Sequence, residues 1–305
     1  MCIRDRNEHA YIIYNDSKRL IQYAFLVLIL PISFVVLALS IDMSVRSVCI
    51  ALIAVALVKL IYFIVVPLRL YSSFKVKINL VKPFLIFSTP LVLHALVGNG
   101  VDYIDGYLVQ HFFPVETFAV YRYGAKEIPF VVLFVGSVMT ALVPQAVQQL
   151  NSTLDTAKAE TTKLMHLLYP ISVVVVLISP FIFPLVYNES FKESAYLFNI
   201  YALIITSRIL LPQLVLFGKH LNKTLLIFTF IELIFNVLLS LYLMQFWGIR
   251  GIAVASVIAF MLAKIFIIIF NYLKFNIKPS RYIDLRYYMI YNVILFISFY
   301  ISLSF

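Results

Sequence analysis

Residues 82–113 read KPFLIFSTPLVLHALVGNGVDYIDGYLVQHFF, and residues 117–149 read TFAVYRYGAKEIPFVVLFVGSVMTALVPQAVQQ, with PVE at 114–116 between them. At about 1.5 Å per helical residue, each half is long enough to cross a hydrocarbon layer of about 30 Å. Yet Asp102, Asp105, Arg122, Lys126 and Glu127 interrupt this otherwise apolar sequence. A charge at the centre of a bilayer costs about 2.5–3.5 kcal/mol on insertion scales. Five charges in one hairpin therefore imply mutual pairing, a wet cavity, or both. Counted outward from the turn, Asp105 lies at the depth of Arg122, and Asp102 at the depth of Lys126. Arg122 and Lys126 are spaced i,i+4 and share a helix face. Buried ion pairs that hold the hairpin together and a lining for a polar substrate both fit this pattern.

The composition extends the reading to the whole chain. Of 305 residues, 63% are hydrophobic and 12% charged, and the mean hydropathy is +1.00. Soluble domains carry about 25% charged residues. The expected fold class is all-α: a polytopic transmembrane helix bundle with no separate soluble domain. Nine apolar spans can be drawn, at Leu20–Ser40, Val45–Leu70, Pro83–Phe113, Thr117–Leu150, Leu164–Tyr187, Ala195–Phe217, Leu221–Phe246, Ile249–Leu273 and Leu285–Leu303. The linkers are short, as in a helical bundle. The exception is Asn151–Lys163, NSTLDTAKAETTK, where cap-type residues precede good helix formers and predict a short surface helix.

The net charge of +10 is not a nucleic-acid signature, because the basic residues sit mostly in loops. One set of loops and span ends holds Arg4, Arg6, Lys18, Arg19, Arg69, Lys75, Lys77, Lys82, Lys158, Lys163, Lys219, Lys223, Lys274, Lys278, Arg281 and Arg286; the opposite set holds Arg46, Lys192 and Arg250. By the positive-inside rule the first set is cytoplasmic, which places the N-terminus inside and Phe305 outside. The polar opening MCIRDRNEHA has no apolar leader core and resembles a translated sequencing-adapter remnant. The chain is therefore expected to lack its true beginning.

Further charges lie in other spans. Lys59, Arg208 and Lys264 have no acid near them in sequence, and Glu232 is the acid of the later spans. With the hairpin, five cations (Lys59, Arg122, Lys126, Arg208, Lys264) face four acids (Asp102, Asp105, Glu127, Glu232). An interior of this balance suits an anionic substrate such as a diphosphate. The cations are the candidate substrate ligands. The acids are candidates to hold a coupling H⁺ or Na⁺. A lysine near an interface, Lys264 above all, could instead snorkel. Prolines interrupt many spans, and Pro90 and Pro129 flank the charged hairpin. Arg46/Lys59 and Arg250/Lys264 form a weak internal echo between the second and eighth spans. His94 and His111 read as packing or interfacial residues. Tyr103, Tyr107, Tyr121 and Tyr123 cluster around the charges, as an interfacial belt or as sugar-stacking rings. Cys2 and Cys49 have no metal-ligand spacing. No catalytic constellation, metal site or cofactor motif is present in the sequence, so no enzyme activity and no cofactor are expected.

Several ordered segments add a resemblance. KPFLIFSTP and YIDGYLVQHF come first, followed by FAVYRYGAKEIP and TALVPQAVQQL. SPFIFPLVYNESFKESAYLFNIYAL and FNVLLSLYLMQFWGIRGIAVASVIA complete the series. Over roughly 82–271 the chain resembles the Wzx-type oligosaccharide-lipid flippases of the multidrug/oligosaccharidyl-lipid/polysaccharide exporter superfamily. The resemblance implies that 1–74 holds the last two helices of a first lobe, 75–274 a second six-helix lobe, and 275–305 an additional helix. It implies a bacterial inner-membrane location and a polyprenyl-diphosphate-linked oligosaccharide as substrate, flipped for surface polysaccharide synthesis. A polysaccharide polymerase is an implied partner, along with membrane lipid and a coupling ion. About four helices of the first lobe are missing, so a chain of this length is not expected to transport alone. The alternatives are a cation-coupled multidrug exporter of the same superfamily and a polytopic glycan-modifying enzyme. An exporter of that kind favours an acidic site. An enzyme favours a large loop or a clustered motif.

Overall fold

The computed structural model describes the backbone of residues 17–70 and 78–304, and their side chains except at 17, 19, 20, 63–70, 78–80, 87, 99, 101 and 102. It divides into two units, 1–83 and 84–305, with no strand among the described residues. The first unit contains α1 (Ser17–Ile41) and α2 (Val45–Leu70), which pack together. Ser44 caps α2, its hydroxyl accepting the Ser47 N–H at 3.2 Å. Tyr23 of α1 stacks on Tyr62 of α2, ring centres 5.8 Å apart.

The division falls within α3 (Ile78–Phe112), later than the boundary at 74 expected from sequence. The second unit continues with α4 (Val115–Gly124), α5 (Pro129–Gln148), α6 (Leu150–Val186), α7 (Lys192–Ala202), α8 (Ile205–Arg208), α9 (Gln213–Gly218), α10 (Asn222–Phe275) and α11 (Leu285–Ser302). α11 packs against α6 and α7, so the last helix belongs to this unit. Among the described residues, seven helices are long and apolar enough to cross a membrane. Their outer faces expose large apolar side chains, such as Leu133, Leu185, Leu238 and Val293. A water-soluble surface does not carry apolar area of that extent; the chain is an all-α, membrane-embedded helix bundle.

Two expected spans meet inside one of these helices. α10 has 54 residues, about 80 Å if straight, far more than a bilayer needs. It is not straight. Gly248 has φ 55° and ψ −136°, left-handed backbone that glycine alone tolerates easily. Asn236 Nδ2 donates to Ser256 Oγ at 3.0 Å, although a straight helix would put these residues about 30 Å apart. The two arms therefore fold back on each other as an antiparallel hairpin. Gly251 permits the close approach, since a Cβ there would lie 2.3 Å from the Leu243 carbonyl oxygen.

Two other expected spans are broken. The span at Thr117–Leu150 divides into α4 and α5 across Ala125–Ile128. Ala125 (φ −72°, ψ 66°) turns the chain, with Lys126 N–H donating to the Gly124 carbonyl at 2.7 Å, an inverse γ-turn. Pro129 then holds Ile128 extended (φ −63°, ψ 115°). Pro129 thus starts a new helix rather than kinking an old one. The span at Ala195–Phe217 becomes α7, α8 and α9. Between them the N–H groups of Leu203, Ile204, Thr206 and Ser207 bond to carbonyls three residues back, the tighter 3₁₀ pattern.

Asn151–Lys163 is helical as expected, but continuous with the next span as the first turns of α6. Thr153, Leu154, Ala157, Thr161, Leu164, Met165 and Leu168 form its buried face, the spacing of an amphipathic helix. That face docks on the α10–α11 connection: Thr161 Oγ1 donates to the Tyr282 carbonyl at 3.2 Å. Small polar side chains tie helices elsewhere, as is usual where the surrounding solvent is apolar. Ser179 Oγ donates to Asn199 Oδ1 at 2.6 Å, and Asn199 Nδ2 donates to Ser302 Oγ at 3.0 Å, joining α6, α7 and α11.

Candidate functional site

Both helix breaks point their charged residues at the same place. Glu127 lies in the Ala125–Ile128 break, and Arg208 ends the four-residue α8. Arg208 Nε donates to Glu127 Oε2 at 2.8 Å, and a second bond joins its Nη2 to Glu127 Oε1. This is the bidentate fork that a guanidinium makes with a carboxylate. The Arg208 guanidinium also lies 4.9 Å from the centre of the Phe260 ring, a cation–π contact. Arg208 has no acid near it in sequence. Its partner lies 81 residues away, a proximity that only the tertiary fold creates.

This pair stands in the wall of a cavity of about 760 Å³. α3 contributes Gly100, Tyr103 and Gly106, α4 contributes Tyr121 and Arg122, and the break contributes Lys126 and Glu127; Tyr201 and Arg208 close it. Arg122 and Lys126 share the cavity, as their i,i+4 spacing suggested. Arg208 also lines a smaller cavity of about 290 Å³. It holds Glu232 and Lys264, one from each arm of α10, with His94 and Gln213. Lys264 Nζ donates to Gln213 Oε1 at 3.0 Å. His94 Nδ1 is 2.5 Å from Thr229 Oγ1.

Asp105 lies behind the larger cavity, 1% exposed. Its Oδ2 accepts from Tyr201 Oη at 3.2 Å and from Ser256 Oγ. Tyr121 Oη is 2.7 Å from Tyr201 Oη. A phenol has one proton; with the Tyr201 proton on Asp105, Tyr121 donates to Tyr201. A continuous chain of hydrogen bonds thus runs from Tyr121 in the cavity wall to the buried carboxylate, and on through Ser256 to Asn236. Asn236 Oδ1 and Ser240 Oγ, one helical turn apart on the same arm, are buried without a hydrogen-bond partner. Depth-counting set Asp105 level with Arg122; the described bonds of Asp105 join α3 to α7 and to the α10 hairpin.

The nine residues singled out from sequence are thus distributed in three ways. Arg122, Lys126, Glu127, Arg208, Glu232 and Lys264 come together around two adjoining cavities, and Asp105 lies behind them. The side chain of Asp102 lies outside the described residues. Lys59 sits half-buried on α2, in the first unit. Tyr201, Ser256, Asn236 and Gln213 were not among the residues expected from sequence. An isolated hydroxyl or amide in an apolar helix carries no periodic signal, and its role is visible only when its partner is in place. Of the four tyrosines, Tyr103 and Tyr121 line the cavity; Tyr121 is buried, whereas Tyr103, Tyr107 and Tyr123 are exposed.

Chemically, the larger cavity presents two cationic side chains and an Arg–Glu pair beside aromatic rings. It can hold an anion and a group that stacks on tyrosine. Among the described residues no group of three or more His, Cys, Asp or Glu side chains is placed to hold a metal ion. Comparison of the chain with protein-family models, curated proteins and solved structures finds no match. What fold and site define is a membrane-embedded helix bundle with ionisable side chains lining two cavities.

Proposed function

We propose that this chain is part of a flippase that moves a polyprenyl-diphosphate-linked oligosaccharide across a bacterial inner membrane. One observation carries the reading: Arg122 and Lys126, both exposed, and Arg208 converge on one cavity of an otherwise apolar bundle. Guanidinium and ammonium groups match the oxygens of a diphosphate. Tyr103, Tyr121 and Tyr201 in the same wall suit the sugar, and the apolar exterior keeps the prenyl tail in lipid. No bond is made or broken. A cation exporter would favour an acid-dominated lining, whereas Glu127 is the acid here and Arg208 holds it.

In this reading the membrane is crossed nine times. α10 supplies two crossings and Lys192–Gly218 one, with the Lys- and Arg-rich ends cytoplasmic. Asp105 is the strongest candidate for the coupling ion. It carries a buried carboxylate joined by hydroxyls to the cavity, so H⁺ or Na⁺ occupancy can follow substrate entry. Asp102, Glu127 and Glu232 are further candidates, and a polysaccharide polymerase remains the proposed partner.

The test is photo-crosslinking in membranes with a diazirine-bearing polyprenyl diphosphate glycan. Labelled peptides should contain Tyr103, Tyr121 or Tyr201, and excess unlabelled ligand should suppress them. Labelling spread evenly over the lipid-facing helices, insensitive to competitor, would contradict the proposal.

A further inference from the structure

We infer that the fork of Arg208 is an anion-binding position that Glu127 occupies as an internal stand-in, and that a ligand phosphate enters by displacing it. The inference rests on the proposed reading of the cavity as an anion site and specifies how its Arg208 position is guarded. Three features of the structure lead to it.

The first is geometry. Glu127 meets Arg208 through both carboxylate oxygens, on Nε and Nη2. A phosphate presents two oxygens to a guanidinium in the same way. The carboxylate therefore marks where a phosphoryl group would sit. The second is position. Glu127 and Arg208 both line the cavity that Arg122 and Lys126 share, and Arg208 alone of these four also lines the Lys264 cavity, so an anion held at the Arg208 fork stands where the two cavities share a wall. The third is the backbone. Glu127 lies in the Ala125–Ile128 break rather than in a helix. Its φ/ψ can change without unwinding a helical turn, and such short non-helical segments are where hinges form. Arg208 ends a four-residue helix in a segment held by 3₁₀-type bonds. Releasing the pair frees two breaks at once. The same contact ties the two discontinuous segments together.

Glu127 in this role lowers apparent affinity by the fraction of time it leaves the fork open. Removing its charge should raise affinity for a phosphate-bearing ligand. A buried ion pair that serves only structure gives no such gain, because breaking it leaves an uncompensated charge and weakens the protein.

The experiment measures binding to the purified chain in detergent, with geranyl diphosphate, inorganic pyrophosphate and geraniol as probes. Glu127→Gln should bind geranyl diphosphate about 10-fold to 100-fold more tightly than the parent. Arg208→Gln added to that variant should abolish the gain. Glu127→Asp keeps the charge on a shorter arm and protects against a folding artefact; it should fall between. If the gain extends to pyrophosphate, a free phosphate suffices. If it is confined to geranyl diphosphate, the anion must arrive on a lipid, and geraniol should gain nothing. Glu127→Gln and Glu127→Asp that both bind no better than the parent would overturn the inference. The underlying cavity reading fails separately, if Arg122→Gln with Lys126→Gln leaves parent binding unchanged.

Discussion

Buried polar atoms make the sharpest demands at the scale of single residues. The Asp105 carboxylate receives two hydroxyl protons, and an amide oxygen can accept both in its place. Asp105→Asn should therefore leave the amount of folded protein in the membrane unchanged while removing any dependence of ligand binding on Na⁺ or pH. Asp105→Leu should lose about 2–4 kcal/mol of stability, because both hydroxyl donors are stranded. A thermal melt of each variant, with binding measured across Na⁺ concentrations, separates the two effects; retained ion dependence in Asp105→Asn would assign the residue to structure. Tyr282 shows the opposite case. It is 0% exposed and its hydroxyl has no partner, and burial pushes its phenol well above the ordinary value. A phenol held protonated in the folded state but free to ionise when unfolded contributes stability that is lost as pH rises through about 10. Tyr282→Phe should melt no lower than the parent at neutral pH, with a gain of up to about 1 kcal/mol, and should lose stability less steeply between pH 9 and 11. A lower melting temperature at pH 7 would show that the hydroxyl has a partner in solution.

At the scale of elements, the sequence was informative wherever a segment buries or exposes apolar surface along its whole length. Val45–Leu70 is both an expected span and a helix, and Leu285–Leu303 differs from α11 by one residue. Ile249 was expected to begin a span, and the hairpin turn falls at Gly248. The breaks were not legible, because hydropathy is the same whether residues 192–218 form one helix or three. Pro129 and Gly124 were the available signals for the first break; Pro212 alone marked the second. The α10 hairpin depends on two glycines for separate reasons. Gly248→Ala must place a Cβ on backbone of φ 55° and ψ −136°, costing about 1–3 kcal/mol. Gly251→Leu must push the arms apart, since even a Cβ meets Leu243 backbone at 2.3 Å. Gly251→Leu should yield no monodisperse protein on size exclusion, and Gly248→Ala should yield folded protein with a lowered melting temperature. Equal yields from Gly251→Leu and the parent would show that the arms do not pack as closely as described.

At the scale of the whole molecule, the class was legible from composition, and the charges that matter were legible as violations of it. Six of the nine residues chosen for being ionised in apolar sequence line two adjoining cavities. Their pairing was not legible, since Glu127 and Arg208 meet only after α4–α5 and α7–α9 have broken where they do. The proposed orientation has its own check. With Cys2 and Cys49 replaced by Ser, a Cys at Glu189 should react with an impermeant maleimide in intact cells, and a Cys at Ala159 only after permeabilisation; reaction of both from one side would contradict the nine crossings. The central claim is that the cavity selects a lipid by its diphosphate. The most direct measurement compares the affinity of nanodisc-held protein for undecaprenyl diphosphate and for undecaprenol, in the parent and in Arg122→Gln with Lys126→Gln. The expected result is at least about tenfold preference for the diphosphate, roughly 1.4 kcal/mol, reduced or abolished in the double variant. Equal affinity for the two lipids, or an undiminished preference without Arg122 and Lys126, would contradict it.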